Sequence, residues 1–317
     1  MAHSPLTCHD PGMVAAVGVR IRWADVPAHV RDAIEEILGS PVVAAESQPG
    51  GFSPGTADRV RTAAGGAAFV KAVSPALNER STELARQEAR ISAALPVHAP
   101  VPRFVGSYDD GDWVALVLED IEGRHPYTPW RPDELAAAVR GLRLLATALT
   151  PSPMADLPMA ADRLADNFAG WDRLAADPPP DLDPWARDHL DELRAAARWA
   201  LTTLDGDTLC HCDVRADNML LRPEGTVVVV DWPWGCVGPD WLDTVLLAEN
   251  VIVHGGDPAP VLTGIDPRTV TAIMAGLAGY FVDRARQPPP PGIPTVRAFQ
   301  RAQGEALLPW VRARLTY

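Results

Sequence analysis

Apolar positions change their spacing part-way along the chain. Up to about residue 120 they fall mostly in short alternating or β-branched runs, and beyond that they recur at helical spacing between proline clusters. In the first part a helix is expected over 26–38, with Asp25 as N-cap and Pro27 in its first turn. Strands are expected over 41–45, 57–62 and 67–73, with Gly65-Gly66 as a hairpin turn between the last two. A helix over 77–95 follows, then strands over 104–108 and 113–119 flanking Asp109-Asp110-Gly111-Asp112. In the second part helices are expected over 132–149, 160–174, 184–204, 241–254, 269–286 and 295–314. One β patch interrupts them, at 208–212, 219–221 and 227–230. The fold class that follows is α+β with two lobes: an antiparallel sheet and one inserted helix at 1–120, and a helical lobe at 121–317.

Composition narrows the functional classes. Hydrophobic residues make up 47% of the 317 positions and charged residues 22%, which describes a globular chain. A formal charge of −13 argues against a nucleic-acid or anionic-membrane partner, because both need a basic face. It suits a cationic ligand, although ordinary acidic solubility gives the same number. Cys8, Cys210, Cys212 and Cys236 form no disulfide framework, and no leader-like or membrane-length apolar run is present. A soluble protein in a reducing, cytoplasmic setting is expected. Nothing in the pattern selects an oligomeric state.

Of the 28 basic residues only Lys71 is a lysine, and it sits inside the apolar run Ala68-Phe69-Val70-Lys71-Ala72-Val73. Arginine replaces lysine freely as solvated charge, but a planar fork cannot replace a compact ammonium where space is tight. Lys71 therefore reads as a phosphate or catalytic contact, against the alternative of a solvent-facing position on an edge strand. Its acidic partner is expected in the next helix, where Glu88 is favoured over Glu83 because it aligns with Ile91 and Leu95.

The β patch carries a second constellation. His211-Cys212-Asp213-Val214-Arg215-Ala216-Asp217-Asn218 puts an aspartate and an asparagine five residues apart in a loop between two strands, and Asp231 ends the next strand. Phosphoryl transfer needs a carboxylate to orient the attacking hydroxyl and oxygen ligands to hold a divalent cation against the phosphates. Asp213, Asn218 and Asp231 can supply both.

With these motifs in order, the chain resembles the aminoglycoside phosphotransferase family, within the protein-kinase-like fold. The likeness runs from Gly50-Gly51-Phe52-Ser53-Pro54-Gly55 through Lys71, Glu88 and Leu118-Glu119-Asp120 to the Asp213 loop, Asp231-Trp232 and Asp240-Trp241-Leu242-Asp243. The resemblance implies that Asp213 is the catalytic carboxylate and that Asn218 and Asp231 bind Mg2+. It implies that Lys71, partnered by Glu88, holds the phosphates of ATP or GTP, and that the backbone of Glu119 to Ile121 meets the purine. His211 would be structural. Gly51 and Ser53 belong to a loop that departs from the protein-kinase glycine pattern, with Ser53 placed to contact phosphate. Arg215 stands where protein kinases usually carry lysine; its fork suits a phosphoryl group, and the alternative is a salt bridge to Asp217 or Asp243. Pro233 replaces the acidic residue more usual after Asp231-Trp232.

The implied activity is transfer of a γ-phosphoryl group to a small-molecule hydroxyl, with an aminoglycoside antibiotic first among acceptors and macrolides, choline, homoserine and other natural products behind it. Antibiotic resistance would be one biological role. A non-catalytic nucleotide-binding regulatory protein on the same scaffold is the alternative from another class, although it would be expected to lose Lys71, Asp213 or Asp231. A protein kinase is disfavoured by the short connection between Asp231 and Trp241. Three further features have two readings each. Cys210, His211, Cys212 and Cys236 could be zinc ligands or core residues. Trp232, Trp234 and Trp241 could box a cation or pack beneath the loop. Asp162, Asp166 and Asp172 could bind acceptor amines or form a solvated helix face.

Overall fold

The computed structural model describes residues 20–315. After a 3-10 turn at Trp23–Asp25 the chain forms α1 (Ala28–Leu38), β1 (Val42–Ser47), β2 (Thr56–Thr62), β3 (Ala67–Val73) and α2 (Glu79–Ala94). The strands β4 (Phe104–Asp109) and β5 (Val114–Glu119) complete a five-stranded antiparallel sheet of order β1-β2-β3-β5-β4. The helical lobe follows with α3 (Pro132–Ala148), α4 (Ala160–Phe168), α5 (Gly170–Ala176), α6 (Pro184–Asp188) and α7 (Leu190–Leu201). Two antiparallel two-stranded pairs, β6 with β9 and β7 with β8, come from β6 (Thr208–Cys210), β7 (Met219–Leu221), β8 (Val227–Val229) and β9 (Cys236–Gly238), and α8 (Leu242–Val253), α9 (Pro267–Ala285) and α10 (Val296–Arg312) close the chain.

Alternation sorts the side chains of β3 between two cores. Ala68, Val70 and Ala72 join Ala115 and Val117 of β5 under α1, which contributes Val30 and Ile34. The opposite face of the sheet brings Val73, Val114 and Leu116 against Ala85 of α2. Lys71 pairs with Leu116 and so lies on this second face. That parity aims its ammonium at α2. On α2, Thr82, Ala85, Glu88, Ile91 and Ser92 are buried at helical spacing, so Glu88 falls on the stripe that meets the sheet. Asn78 caps the helix by accepting from the Ser81 N–H at 2.8 Å.

The core of the helical lobe is built around α8 and α9. Both are apolar on nearly every side, as expected of helices with neighbours all round. Gly170 and Gly279 let α5 and α9 cross almost backbone to backbone: a Cβ on Gly170 would stand 2.4 Å from the Gly279 carbonyl carbon. Trp171 locks the crossing by donating to the Ala275 carbonyl at 2.7 Å.

Several boundaries differ from the sequence expectation. The N-cap of α1 is Pro27, and Asp25 instead ends the 3-10 turn and accepts from the Arg22 N–H at 2.9 Å. The expected helix 160–174 is two helices meeting at Ala169, and 184–204 is two helices meeting at His189. The first break carries Gly170 into its crossing with α9; at the second, the His189 ring bonds to the Trp185 carbonyl at 2.8 Å. Strand β9 was not expected, because a three-residue Cys-Val-Gly segment has no period of its own. It exists by pairing with β6, Cys210 opposite Cys236. Cys8 lies outside the described residues.

Candidate active site

The loop from His211 to Asn218 leaves β6 and enters β7, and its first turn is held from below by α8. Asp243, in the first turn of that helix, accepts from the His211 N–H at 2.7 Å and from the Cys212 N–H at 3.0 Å. These two bonds sustain a left-handed backbone at Cys212, φ 63°, which a non-glycine residue adopts only under such constraint. The His211 ring is spent structurally, as the resemblance implied. Its Nδ1 accepts from the Asp213 N–H at 3.2 Å, so its Nε2–H is the donor to the Val230 carbonyl at 2.9 Å. The ring stands edge-on to Trp232, 4.8 Å between centroids.

Asp213 is therefore positioned from both sides. Arg215 Nη1 reaches its two carboxylate oxygens at 2.9 and 3.1 Å, and the rest of the fork grips Asp217 at 2.9 Å twice. Arg215 thus joins Asp213 and Asp217; of the two salt-bridge partners considered for it, Asp217 is engaged. Asn218 donates to the Asp213 carbonyl at 2.7 Å and to its carboxylate at 3.0 Å. Burial pushes the Asp213 carboxyl above the usual carboxylate range, and the opposing pull of the Arg215 charge does not cancel it. Burial also raises Asp217, but there Arg215 wins and the carboxyl is held below its ordinary value.

Lys71 closes the site from the sheet side. Its Nζ donates to both Glu88 oxygens, at 2.8 and 2.9 Å, and to Asp231 at 2.6 Å. Burial works against the ammonium, yet Asp231 and Glu88 outweigh it and hold Lys71 well above its ordinary pKa. Asp231 shows the mirror effect: burial raises it, the Lys71 charge overcomes this, and the carboxyl is held low. Glu83 turns outward to Arg80 at 2.7 Å, so Glu88 is the partner. Asp231 also sits at positive φ, 71°, a strained position two residues beyond β8.

Two segments were expected to meet the nucleotide, the glycine loop and the 119–121 span. Gly50 and Gly51 both have positive φ, 87° and 77°, which places them where side-chain-bearing residues are disfavoured and shapes the loop before β2. Ser53 Oγ accepts from the Gly55 N–H at 3.3 Å, a turn that keeps the hydroxyl inside the loop. In the 119–121 span, the Glu119 N–H donates to the Arg103 carbonyl at 2.9 Å and the Ile121 carbonyl accepts from Arg59 at 2.6 Å. Those two groups are already bonded within the protein. A hard divalent cation fits the oxygen set at the other end. Lys71 engages only Oδ1 of Asp231, whose side chain is 39% exposed, and Asn218 spends its amide N–H groups on Asp213, so an oxygen of each is left for a metal.

The competing features resolve into packing and ion pairs. Cys210, Cys212 and Cys236 do come together, with Cys212 and Cys236 sulfurs 2.7 Å apart, but no metal-binding group of three His, Cys, Asp or Glu exists among the described residues. Trp232 is buried and donates to the Val229 carbonyl at 3.1 Å. Asp166 pairs with Arg173 and Arg284, and Asp172 with Arg194 and Arg198. Sequence reasoning missed Asn250, whose Oδ1 accepts from the Ala216 N–H at 3.3 Å and from Trp130 at 3.1 Å, bracing the Asp213 loop from α8. It also missed Glu249, buried beside it and bonded to Gln303 at 3.1 Å, with burial pushing its carboxyl up to about 8. Neither residue stands in a recognisable motif; a polar pair inside an otherwise apolar helix is the one signal available.

No curated protein matches the chain in sequence. Among solved structures it is similar to the choline kinase LicA from Streptococcus pneumoniae, at 16% identity and TM-score 0.58, over 88% of this chain and 99% of that one. An amicoumacin kinase in complex with AMP-PNP and Ca2+ aligns at 14% identity and TM-score 0.56, over 86% and 89%. A thermostable aminoglycoside phosphotransferase mutant with ADP and hygromycin B aligns at 13% identity and TM-score 0.58, over 92% and 100%. At these identities the likeness establishes the fold, which is the protein-kinase-like one. The sequence itself matches the phosphotransferase enzyme family over residues 49–278, the span that holds every element of the site from the glycine loop to α9. The chain belongs to the phosphotransferase enzyme family.

Proposed function

We propose that this protein is a small-molecule kinase that transfers the γ-phosphoryl group of ATP or GTP to a hydroxyl of its acceptor. The observation that carries the reading is the convergence of Lys71 on Glu88 and Asp231, beside an Asp213 loop that is otherwise complete. A regulatory scaffold has no need to keep these groups together.

In the reaction Asp213 orients the acceptor hydroxyl and receives its proton, while Lys71 holds the nucleotide phosphates against Glu88. Asn218 and Asp231 are the residues that would hold Mg2+, which when bound neutralises charge on the phosphate oxygens. Arg215 has a further part. Its guanidinium occupies the Asp213 carboxylate, and an entering γ-phosphate offers stronger anionic oxygens to the same fork. Transfer of Arg215 to the phosphoryl group frees Asp213 to act and places positive charge where the transition state needs it.

For the acceptor, an aminoglycoside-like antibiotic is the first candidate by family likeness, followed by other hydroxylated metabolites such as macrolides, choline or homoserine; resistance to an antibiotic would follow from the first. The arginine pairing of Asp166 and Asp172 supports a smaller role for polyamine recognition on α4 and α5 than their acidity suggested. A peptide acceptor is disfavoured because β9 and the start of α8 fill the stretch after Asp231. No helix of the described residues is long and apolar enough to cross a membrane, and the free Cys210, Cys212 and Cys236 accord with a reducing cytoplasm. The test is ADP and GDP release with Mg2+ over a panel of aminoglycosides and hydroxylated metabolites. Acceptor-dependent release supports the reading, and absence of Mg2+-nucleotide binding sinks it.

A further inference from the structure

Phe52 lies in the glycine loop between β1 and β2, and Phe299 lies in the first turn of α10, at the other end of the sequence. Their rings meet edge to face, 5.4 Å between centroids and 66° between planes. Both are half-buried, and neither is part of a hydrophobic core cluster. The guanidinium carbon of Arg215 stands 5.8 Å from the Phe52 ring centre and 5.7 Å from that of Phe299, while its nitrogens hold Asp213. The two rings and the catalytic carboxylate thus share one arginine. A second set of contacts draws the same two parts of the molecule together. Asn78, at the head of α2, donates to the Pro291 carbonyl at 3.0 Å, and Gly292 packs so closely on Pro54 that a Cβ there would stand 3.2 Å away. The glycine loop is therefore met from the helical lobe by Gly292 and by Phe299 of α10, and the head of α2 by Pro291.

This position matters for the chemistry of a kinase. A nucleotide bound between the glycine loop and Asp213 presents its γ-phosphate to whatever hydroxyl lies in line, and water is always the most abundant one. Groups that close over such a site must exclude water without contributing hydroxyls or competing hydrogen bonds, and they must yield to the acceptor. Two phenylalanine rings meet those conditions, and the face of an aromatic ring also attracts a nearby arginine charge.

We propose that Phe52 and Phe299 form an aromatic gate over Asp213 and Arg215 that keeps water from the in-line position and is parted by the acceptor. The proposal rests on the kinase reading above. It adds that an accepted molecule presents an apolar face or ring next to its reactive hydroxyl, because that surface takes the place of one phenylalanine ring against the other.

The test needs no knowledge of the acceptor. Hydrolysis of ATP with Mg2+ and no acceptor is measured for the full chain as wild type, Phe299→Ala, Phe52→Ala, Phe299→Leu and Asp213→Ala, alongside Mg2+-dependent binding of AMP-PNP and thermal melting. The gate predicts that each alanine variant hydrolyses ATP about tenfold faster than wild type, with water reaching the site, and that Phe299→Leu, which keeps apolar bulk and adds no hydroxyl, stays near the wild-type rate. The excess rate must disappear when Asp213→Ala is added. Phe52 lies in a loop outside the cores, so its variant keeps the test open should Phe299→Ala melt early. AMP-PNP binding with no rise in hydrolysis in either folded alanine variant overturns the gate alone. Absence of AMP-PNP binding in the wild type overturns the kinase reading, and the gate with it.

Discussion

Lys71 Nζ and Asp231 Oδ1 lie 2.6 Å apart across 160 residues of sequence. One belongs to the central strand of the sheet and the other lies two residues beyond β8 in the helical lobe, so this bond ties the two lobes at the proposed nucleotide site. Glu88 takes the remaining donors of the ammonium, and the result is a cation between two carboxylates. An arriving nucleotide triphosphate with its metal competes for both ends of that arrangement.

Lys71→Ala should lower kcat/KM for nucleotide by about 10²–10³, the usual loss when a preorganised charge is removed from a transition state. Lys71→Arg should recover little of it, because the planar fork does not fit the space between Glu88 and Asp231 that a compact ammonium fills. Steady-state kinetics with saturating acceptor separate the two outcomes. Recovery by arginine to within a few-fold of wild type would show that only charge matters there.

The pH dependence of turnover should report Asp213. Burial raises its carboxyl above the ordinary range and Arg215 partly offsets that rise. The ionised form is the active one, so kcat/KM should climb with pH through an apparent pKa above that of a free aspartate. Arg215→Ala removes the offset and should move the acidic limb to higher pH while lowering the plateau. A pH–rate profile that keeps its acidic limb in place while only the plateau falls would confine Arg215 to the phosphoryl group.

Glu249 makes a separate prediction about stability. Its carboxyl is pushed up to about 8 in the fold, from an ordinary value of 4.5, by burial that the Gln303 bond and the Arg215 charge only partly relieve. Between those two values the unfolded chain has lost the proton that the folded chain still holds, so stability falls as pH rises from 4.5 to about 8 and levels above it. Glu249→Gln cannot ionise and should escape that loss. The difference in melting temperature between the variant and wild type should therefore widen in favour of the variant from pH 5 to pH 8. Parallel melting curves across this range would contradict the buried protonated state.

Much of the site is legible in the sequence. Lys71 declared itself through isolation among arginines, and the depth of Glu88 in the next helix singled it out as partner; that β3 turns Lys71 to the α2 face was visible only from its register with β5. The Asp213 to Asn218 spacing and the position of Asp231 after a valine run carried the rest of the site. What stayed hidden depends on contacts between distant segments. The β9 strand has no pattern without β6 to pair with, and the helix breaks at Ala169 and His189 follow from tertiary packing and a ring-to-backbone bond. Phe52 and Phe299 read as two unremarkable aromatics until a loop and a helix from opposite ends of the chain bring them together. Asp166 and Asp172 looked free because their arginine partners come from other helices or later turns.

The central claim is that Asp213 acts on the acceptor while Lys71, Asn218 and Asp231 manage the nucleotide. Acceptor-dependent ADP or GDP release by Asp213→Ala, measured beside Mg2+-dependent AMP-PNP binding, tests that division directly. The account predicts turnover reduced by about 10³ or more with nucleotide affinity within a few-fold of wild type. Turnover within tenfold of wild type would contradict it, and would move the catalytic carboxylate elsewhere in the cleft.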